Sequence, residues 1–317
     1  MTIDLTDTTT GAISNALTEA RRRLGGMTMG MVLTLIVVTD EEGQYDAIRA
    51  ANQAAREHPC RILAMITRRP KADSRLDAEI RVGESSPGET IVLRMYGPLG
   101  QHADSVAAPL LVPDVPVVTW WPERAPEIPS GNPLGGLAQR RVTDSADADI
   151  PQAVLADLAR AYKPGDTDFG WTRATPWRTL LAATLDQPHP RLDAGEVQAE
   201  QDNPTADLIA SWLNLKLSIP MRRTVSGGPG ITRVTFSTPA GDITISRLDG
   251  RTATLSWPGR PDRMVALHRR ETAELLAEEL RRLDPDDVYA ETLRHLDARG
   301  IETAPFEEPE PDERVMS

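Results

Sequence analysis

Residues 31–68, MVLTLIVVTDEEGQYDAIRAANQAAREHPCRILAMITR, contain two apolar runs on either side of an amphipathic segment. The first run is rich in β-branched residues, which is typical of a strand covered on both faces. The pattern from Gln44 to Arg56 predicts a helix that ends before His58-Pro59, and residues 61–68 predict a second buried strand. Together they form a βαβ unit, and such units build a parallel sheet with right-handed crossovers.

The rest of the first half extends this sheet. Residues 76–83 and 89–97 have strand patterns, and residues 100–111 predict a helix that leads into the strand PVVTWW. We therefore expect a Rossmann-like α/β domain over residues 29–165, with a mostly parallel sheet and helices. A separate amphipathic helix is predicted within residues 1–28.

The second half has the pattern of an α+β domain, predicted over residues 166–300. Its first helix is expected in TPWRTLLAATL, residues 175–185, with Thr175 as the cap and Pro176 at the first helical position. Residues 231–257 alternate apolar and polar side chains between turn signals. This alternation predicts an antiparallel β-meander with one buried face.

Two helices and a tail complete the chain. Leu276, Leu280 and Leu283 fall on one helix face, and Asp284 is expected to cap a final helix that ends at Gly300. The tail, residues 301–317, is acidic and contains proline. We expect this tail to be disordered.

The composition excludes several classes of function. The 317 residues include 47 acidic and 35 basic side chains, and the formal net charge of -12 opposes binding to nucleic acid or anionic lipid. No apolar run approaches the roughly 18 residues of a membrane span. No secretory signal is visible at the start of the sequence. We expect a cytoplasmic protein.

Neither cysteine nor histidine spacing indicates a metal site. The single cysteine, Cys60, excludes an internal disulfide, and its apolar neighbours favour a buried small residue over a reactive thiol. The five histidines are scattered, without the spacing of a zinc site. The sequence therefore predicts no metal and no cofactor.

The turn after the first strand argues against a dinucleotide site. A Rossmann fingerprint has glycines there, so that backbone N–H groups can approach the pyrophosphate. Here TDEEGQYD, residues 39–46, has acidic side chains at that place, and the glycines of GGMTMG, residues 25–30, precede the strand. SGGPG, residues 226–230, lacks the Lys-Ser/Thr of a P-loop. No G-x-S-x-G elbow occurs, so no catalytic set is visible.

One alternative function remains open at this point. Asp144 and Ser145 follow a short apolar strand, where α/β proteins often have their active sites, although a helix cap or a turn explains them equally well. The alternative is a doubly wound enzyme that binds a small molecule or a sugar nucleotide in a crevice near Asp114, Trp120 and Asp144. A tryptophan in such a crevice would stack on a base or a sugar.

Six ordered segments between about residue 30 and residue 298 resemble one protein family. They are HPCRILAMI, APLLVPDVPVVTWWP, RRVTDSAD, RATPWRTLLA, ASWLNLKL and RRLDPDDVYAETL. The sequence is similar to the glucose-6-phosphate dehydrogenase assembly protein family (OpcA), in its actinobacterial form. The Trp-Trp and Thr-Pro-Trp-Arg segments are the most specific parts of this resemblance.

The resemblance implies a non-catalytic partner of glucose-6-phosphate dehydrogenase, the NADP-dependent first enzyme of the oxidative pentose phosphate pathway. Such proteins bind the dehydrogenase, promote its active oligomer and act as allosteric effectors. Cyanobacterial relatives are associated with thiol-based redox control, which needs a cysteine pair. That regulation is not carried over to a chain with Cys60 alone.

Tryptophan and arginine dominate the energetics of many protein interfaces, which makes them candidates for partner contact. The alternative is that tryptophans fill the seam between the two domains, and core packing is favoured for the tryptophan of Thr-Pro-Trp-Arg. Neighbouring residues on a strand point to opposite faces. We therefore expect one ring of the Trp-Trp pair under a helix and the other at the seam or a partner. The candidate partner-binding residues are Trp120, Trp121, Asp144, Trp171, Trp177 and Arg178.

Overall fold

The computed structural model describes residues 1–23, 30–83 and 88–304. Within it the chain forms two compact units. The first unit comprises Met1–Thr172 and Arg270–Ala290, and the second comprises Arg173–Arg269 and Glu291–Ser317. Most of the GGMTMG segment and most of the predicted acidic tail lie outside the described residues.

The strands and helices follow in chain order. The strands are β1 Thr2–Leu5, β2 Leu33–Thr39, β3 Cys60–Arg68, β4 Arg75–Val82, β5 Glu89–Tyr96, β6 Val117–Trp121, β7 Arg140–Thr143, β8 Asp166–Asp168, β9 Ala194–Ala199, β10 Met221–Val225, β11 Ile231–Ser237, β12 Ile243–Ser246, β13 Thr252–Trp257, β14 Arg260–Ala266 and β15 Glu302–Ala304. The α-helices are α1 Thr10–Arg23, α2 Gln44–Ala54, α3 Ala103–Ala107, α4 Pro133–Gly136, α5 Pro151–Ala161, α6 Phe169–Leu185, α7 Pro204–Leu217, α8 Thr272–Arg281 and α9 Asp287–Arg299.

The first unit is built on an eight-stranded sheet in the order β1-β4-β5-β3-β2-β6-β7-β8. From β5 to β8 the neighbouring strands are parallel, whereas β4 and β1 add an antiparallel edge. If the six parallel strands are numbered by their order in the chain, their order across the sheet is 3-2-1-4-5-6. This is the Rossmann strand order. The predicted Rossmann-like, mostly parallel α/β sheet is confirmed.

Both faces of this sheet are covered by apolar clusters. Ile13 and Leu17 of α1 pack with strand residues on one face. On the other face, Ala51 of α2 and Leu276 of α8 share a cluster with Trp120. Because α8 packs against α2, residues 270–290 belong to the first unit, although the sequence interpretation assigns them to the second domain.

The second unit contains a seven-stranded sheet in the order β14-β13-β12-β11-β9-β10-β15. Strands β11 to β13 form the predicted antiparallel meander, and β14 extends it by one strand. Strand β10 pairs in parallel with both β9 and β15. Val197, Val234, Phe236 and Ile245 are fully buried, while their neighbours along each strand are polar. The predicted α+β character of this half is confirmed.

Two helix starts differ from the sequence prediction. Helix α6 begins at Phe169, so Pro176 lies inside it rather than at its first position. Proline has no N–H for the carbonyl four residues earlier, and a guanidinium N–H of Arg270 donates to the carbonyl oxygen of Thr172 instead. This replacement bond satisfies the carbonyl that the internal proline leaves without a helical donor.

The last helix begins later than predicted. Its cap is Asp286 rather than Asp284, because the Asp286 Oδ1 accepts a hydrogen bond from the Tyr289 N–H at 3.0 Å. The carbonyl oxygen of Asp284 accepts from Arg140 Nη1 at 3.0 Å. Helix α9 ends before Gly300, whose φ of 63° is the left-handed conformation that glycine adopts readily.

Candidate functional site at the carboxyl ends of the parallel strands

Four carboxylates follow or end the parallel strands of the first unit. Asp40 comes directly after β2, Glu123 follows β6, Asp144 follows β7, and Asp168 ends β8. Parallel strands end at the same edge of a sheet, so we call this set the carboxylate edge. In doubly wound sheets ligands bind at this edge, where the strand order reverses. Here the reversal lies between β2 and β6.

Asp40 occupies the backbone donors of the β2–α2 turn. Its Oδ1 accepts hydrogen bonds from the N–H of Glu42 at 2.8 Å and of Gly43 at 2.9 Å. These are the donors nearest to the start of α2, where a dinucleotide fold receives a phosphate. The turn is therefore already closed by a carboxylate of its own chain.

Glu123 supplies a second carboxylate at the same turn. A β-carbon on Gly43 would overlap its carboxyl group, and Thr39 Oγ1 donates to its Oε1 at 3.4 Å. Burial and the negative charges of Asp40 and Asp147 raise the pKa of Glu123. Glu123 thus occupies the place at the start of α2 where a dinucleotide fold receives a phosphate. Two carboxylates at this point oppose the binding of a pyrophosphate.

Asp168 lies at the buried end of β8. Its Oδ2 accepts from Thr143 Oγ1 and the Ser145 N–H, and its Oδ1 accepts from Ser145 Oγ and the Gly170 N–H, each at 2.8 Å. Burial raises the pKa of Asp168 to about 6, and the charge of Asp144 adds to this rise. Because its side chain is enclosed and fully bonded, Asp168 joins the ends of β7 and β8 to α6.

Asp144 has the geometry of a turn cap. Its Oδ1 accepts from the Ala146 N–H at 3.2 Å, at the start of the short 3-10 helix Ser145–Asp147. The Asp144 side chain is also buried. The cap or turn interpretation of the Asp-Ser pair is therefore the one that the structure supports.

The crevice of the alternative function is not formed. Asp114 precedes β6, whereas Asp144 follows β7, so the two lie at opposite edges of a parallel sheet. Trp120, the third residue of that proposal, is 1% exposed and packs against Phe169, with ring centroids 5.8 Å apart. These three residues therefore cannot line a single ligand site.

The paired tryptophans do point to opposite faces of β6, as expected. Trp120 belongs to the cluster that includes α2 and α8. Trp121 packs beside Gly135, where an added β-carbon would lie 3.2 Å from Trp121 Cη2. At 3% exposure Trp121 is as buried as its neighbour. Both rings are core in this structure, and a role of either in partner binding stays a prediction.

The other candidate residues divide between the two units. In the first unit, buried Trp171 donates from Nε1 to Asp286 Oδ2 at 2.8 Å, which ties it to the cap of α9. In the second unit, Trp177 is buried under the guanidinium of Arg247, 5.0 Å from the ring centroid. Arg178 is only partly buried. Partner binding by these residues also stays a prediction, and Arg178 is the candidate with the most accessible side chain.

Cys60 is buried, and burial raises its pKa to about 12. This confirms the prediction of a buried residue rather than a reactive thiol. Among the described residues no three His, Cys, Asp or Glu side chains form a group that could hold a metal ion. None of the helices in the described ranges is long and apolar enough to cross a membrane.

Two family models match the chain, one on each half. Residues 51–160 match the glucose-6-phosphate dehydrogenase subunit N-terminal domain, and residues 164–293 match the C-terminal domain of the same subunit. The chain belongs to the glucose-6-phosphate dehydrogenase assembly protein family. This confirms the family resemblance of the sequence. It also confirms the association of the family with glucose-6-phosphate dehydrogenase assembly and the pentose phosphate pathway.

Other known proteins are only distantly similar to this chain. No curated protein matches it. Among solved structures, KijD10, a 3-ketoreductase from Actinomadura kijaniata in complex with TDP-benzene and NADP, has 12% identity and a TM-score of 0.47, covering 87% of this chain and 99% of that chain. An oxidoreductase from Sinorhizobium meliloti has 11% identity and a TM-score of 0.41, covering 84% and 86%. At these values neither likeness carries an argument about function.

Two residues of the carboxylate edge, Glu123 and Asp168, were not predicted from the sequence. Glu123 reaches the turn from a position 84 residues after Thr39, and no local pattern indicates that approach. Asp168 stands in KPGDTDFG, which has the composition of a linker. The buried strand Asp166–Asp168 has no apolar residue, so hydrophobic periodicity could not have found it.

Proposed function

We propose that this chain is a non-catalytic subunit that binds glucose-6-phosphate dehydrogenase. The observation that carries the proposal is the match of both halves to models of a glucose-6-phosphate dehydrogenase subunit. A chain that belongs to this family over residues 51–160 and 164–293 is expected to share its association with the dehydrogenase. The net charge of -12 is also compatible with a protein partner rather than a nucleic acid.

The carboxylate edge supports the non-catalytic part of the proposal. Asp40 and Glu123 occupy the place where a Rossmann sheet receives the phosphates of a dinucleotide. Asp144 caps a turn, and Asp168 is enclosed by four hydrogen-bond donors. Each carboxylate thus has a structural task, and the chemistry is left to the dehydrogenase.

The finer part of the proposal concerns what binding does. We infer that the subunit promotes the active oligomer of the dehydrogenase and activates it allosterically in the cytoplasm. An effector of this kind must bind the active state more tightly than the inactive one. Its effect should therefore be largest when substrate is scarce, because saturating substrate already favours the active state.

The test combines the purified chain with glucose-6-phosphate dehydrogenase from the same organism. NADPH formation is measured at low and at saturating glucose 6-phosphate, and the size of the mixture is measured by light scattering. We expect a shared particle and a higher rate at low substrate, with an equal amount of an unrelated acidic protein as the control. An unchanged rate without co-elution would contradict the proposal, and so would tight NADP binding by the chain alone.

A further inference from the structure

A cavity beside α2 in the first unit is rich in arginine. It measures about 260 Å³, and three guanidinium groups contribute to its wall. No carboxylate is among the residues that line it, although acidic side chains outnumber basic ones by 47 to 35 in the whole chain. Its lining residues are Gln44, Tyr45, Ile48, Arg49, Asn52, Gln53, Arg56 and Arg81.

The cavity exists because the sheet is incompletely covered there. Helix α2 packs on β2 and β3. The neighbouring strands β5 and β4 pair antiparallel, and residues 69–74, which lead from β3 to β4, contain no helix. A parallel βαβ crossover would place a helix on this strip. Here the strip instead presents the partly exposed, charged side chains of β4, which include Glu79 and Arg81.

The floor of the cavity is ordered and its rim is exposed. Ile48 is buried in a small cluster with Val92, and Asn52 Oδ1 accepts from Thr90 Oγ1 at 3.0 Å. At the rim the Tyr45 side chain is 71% exposed, which is unusual for a large aromatic residue. A fixed floor with an exposed tyrosine and arginines has the composition of an interface hot spot.

The charges at the rim can be reached by a partner. Arg49 pairs with Asp46 at 2.8 Å, and both side chains are largely exposed. Arg81 pairs with Glu79 at 2.6 Å. The exposed Arg49–Asp46 pair is weak and screened by salt, so a better-placed carboxylate can replace it, whereas the Arg81–Glu79 pair is only partly exposed. No ion pair of Arg56 occurs among the described residues, so one guanidinium is uncompensated.

We propose that this surface, consisting of Tyr45, Arg49, Gln53, Arg56 and Arg81 and named the α2 surface, binds an acidic patch of glucose-6-phosphate dehydrogenase. The inference rests on the proposed function and specifies where the partner is recognised. Guanidinium groups form bidentate hydrogen bonds with carboxylates, and Tyr45 adds apolar contact area beside them. On this surface a carboxylate of the partner would pair with Arg56 and take the place of Asp46 at Arg49.

The test compares two arginines in matched surroundings. Arg49 pairs with Asp46, and Arg22 pairs with Glu19, each at i,i+3 on an exposed helix face. Arg49→Glu and Arg22→Glu change the net charge equally, and each places two carboxylates at i,i+3. Binding to the dehydrogenase is measured for both, at low and at physiological salt. We expect Arg49→Glu to weaken association about tenfold or more and to reduce its salt dependence, while Arg22→Glu stays within about twofold of wild type.

A second variant separates contact from charge. Tyr45→Ala is expected to weaken association about tenfold at every salt concentration, with an unchanged unfolding midpoint, because the removed ring is exposed. Equal binding by Arg49→Glu and Arg22→Glu would overturn the α2 surface while leaving the proposed function intact. Saturable binding of inorganic phosphate that Arg49→Glu abolishes, without any effect on the dehydrogenase, would also overturn it. If wild type itself fails to bind the dehydrogenase, both proposals fall.

Discussion

The carboxyl group of Glu123 fills the space in front of Gly43, at the point where the β2–α2 turn enters its helix. In a dinucleotide fold a glycine at this turn makes room for phosphate. In this chain the same room holds a carboxylate that belongs to the protein. The fold has thus kept the Rossmann strand order while its phosphate position is occupied by negative charge.

We expect Glu123→Gln to stabilise the protein at pH 7. Burial and the charges of Asp40 and Asp147 raise the pKa of Glu123, so its ionised form is unfavourable in the folded state. The amide keeps an acceptor for Thr39 and removes the repulsion. The gain should not exceed about 1 kcal/mol, because the group is partly solvated. Urea unfolding at pH 7 measures it.

The pH dependence provides the check for Glu123. An acid whose pKa is raised by folding loses stability as pH rises through its titration range. The advantage of Glu123→Gln over wild type should therefore be present at pH 7 and shrink as the pH falls and Glu123 takes up its proton. An advantage that grows in acid would show that the folded state favours the carboxylate.

Trp121 packs beside Gly135, the first of two adjacent glycines whose surroundings differ. A β-carbon at Gly135 would overlap the carbonyl oxygen of Pro129 and press on the Trp121 ring, whereas Gly136 has open space. We expect Gly135→Ala to cost about 1–3 kcal/mol of unfolding free energy, since the obstacle is backbone. Gly136→Ala should be neutral or stabilise by up to about 1 kcal/mol. Thermal unfolding of both variants decides the matter, and equal midpoints would contradict the packing described for Trp121.

Sequence patterns could predict the parts of this fold that consist of apolar periodicity. The β-branched run of β2, the amphipathic residues Ile13 and Leu17 of α1, and the alternation of the meander are such parts. Hydrophobic periodicity did not predict the buried elements that consist of polar residues. Strand β8 is Asp-Thr-Asp, and its burial depends on partners from β7 that no local rule identifies.

The residues of the carboxylate edge could also be predicted only in part. The acidic turn TDEEGQYD indicated negative side chains at the start of α2, and Asp40 does cap its N–H groups there. Glu123 could not be predicted, since its approach is tertiary. The prediction placed Pro176 at the first position of its helix, as prolines often are. The helix instead starts at Phe169, and a guanidinium of Arg270 donates to the carbonyl that Pro176 leaves without a helical donor. One ring of the Trp-Trp pair was expected at a seam or a partner, yet both are buried, and Gly135 leaves the room that Trp121 needs in the core.

A buried ion pair joins β7 to α8, and we expect it to be costly to break. Glu279 Oε2 accepts from Arg140 Nε at 3.1 Å, and Glu279 Oε1 accepts from Thr172 Oγ1 at 2.6 Å, with the pair almost fully buried. Glu279→Gln should cost about 3–5 kcal/mol because it leaves the Arg140 charge uncompensated. Urea unfolding measures the loss.

The double variant distinguishes the pair from its surroundings. Arg140→Met with Glu279→Leu removes both charges, and it should be less destabilised than Glu279→Gln alone. Arg191→Met, which breaks an exposed pair with Asp193, is the control and should change little. A double variant that is as destabilised as Glu279→Gln or more so would mean that the loss does not come from an uncompensated Arg140 charge.

Substitution of Asp168 tests whether the hydrogen bonds to its carboxylate stabilise the fold. Each of its oxygens accepts two hydrogen bonds, so the amide of Asp168→Asn must face donors with its own N–H groups. We expect a loss of about 2–4 kcal/mol at pH 7.

Burial raises the pKa of Asp168 from 3.8 to about 6, so the folded state holds a proton that the unfolded state releases between these values. Wild type should therefore gain stability as pH falls from about 6 to about 4, by up to about 3 kcal/mol, and Asp168→Asn should lack this gain. Thermal unfolding of both proteins across that range measures the difference, and parallel curves would mean that the four donors keep Asp168 ionised throughout.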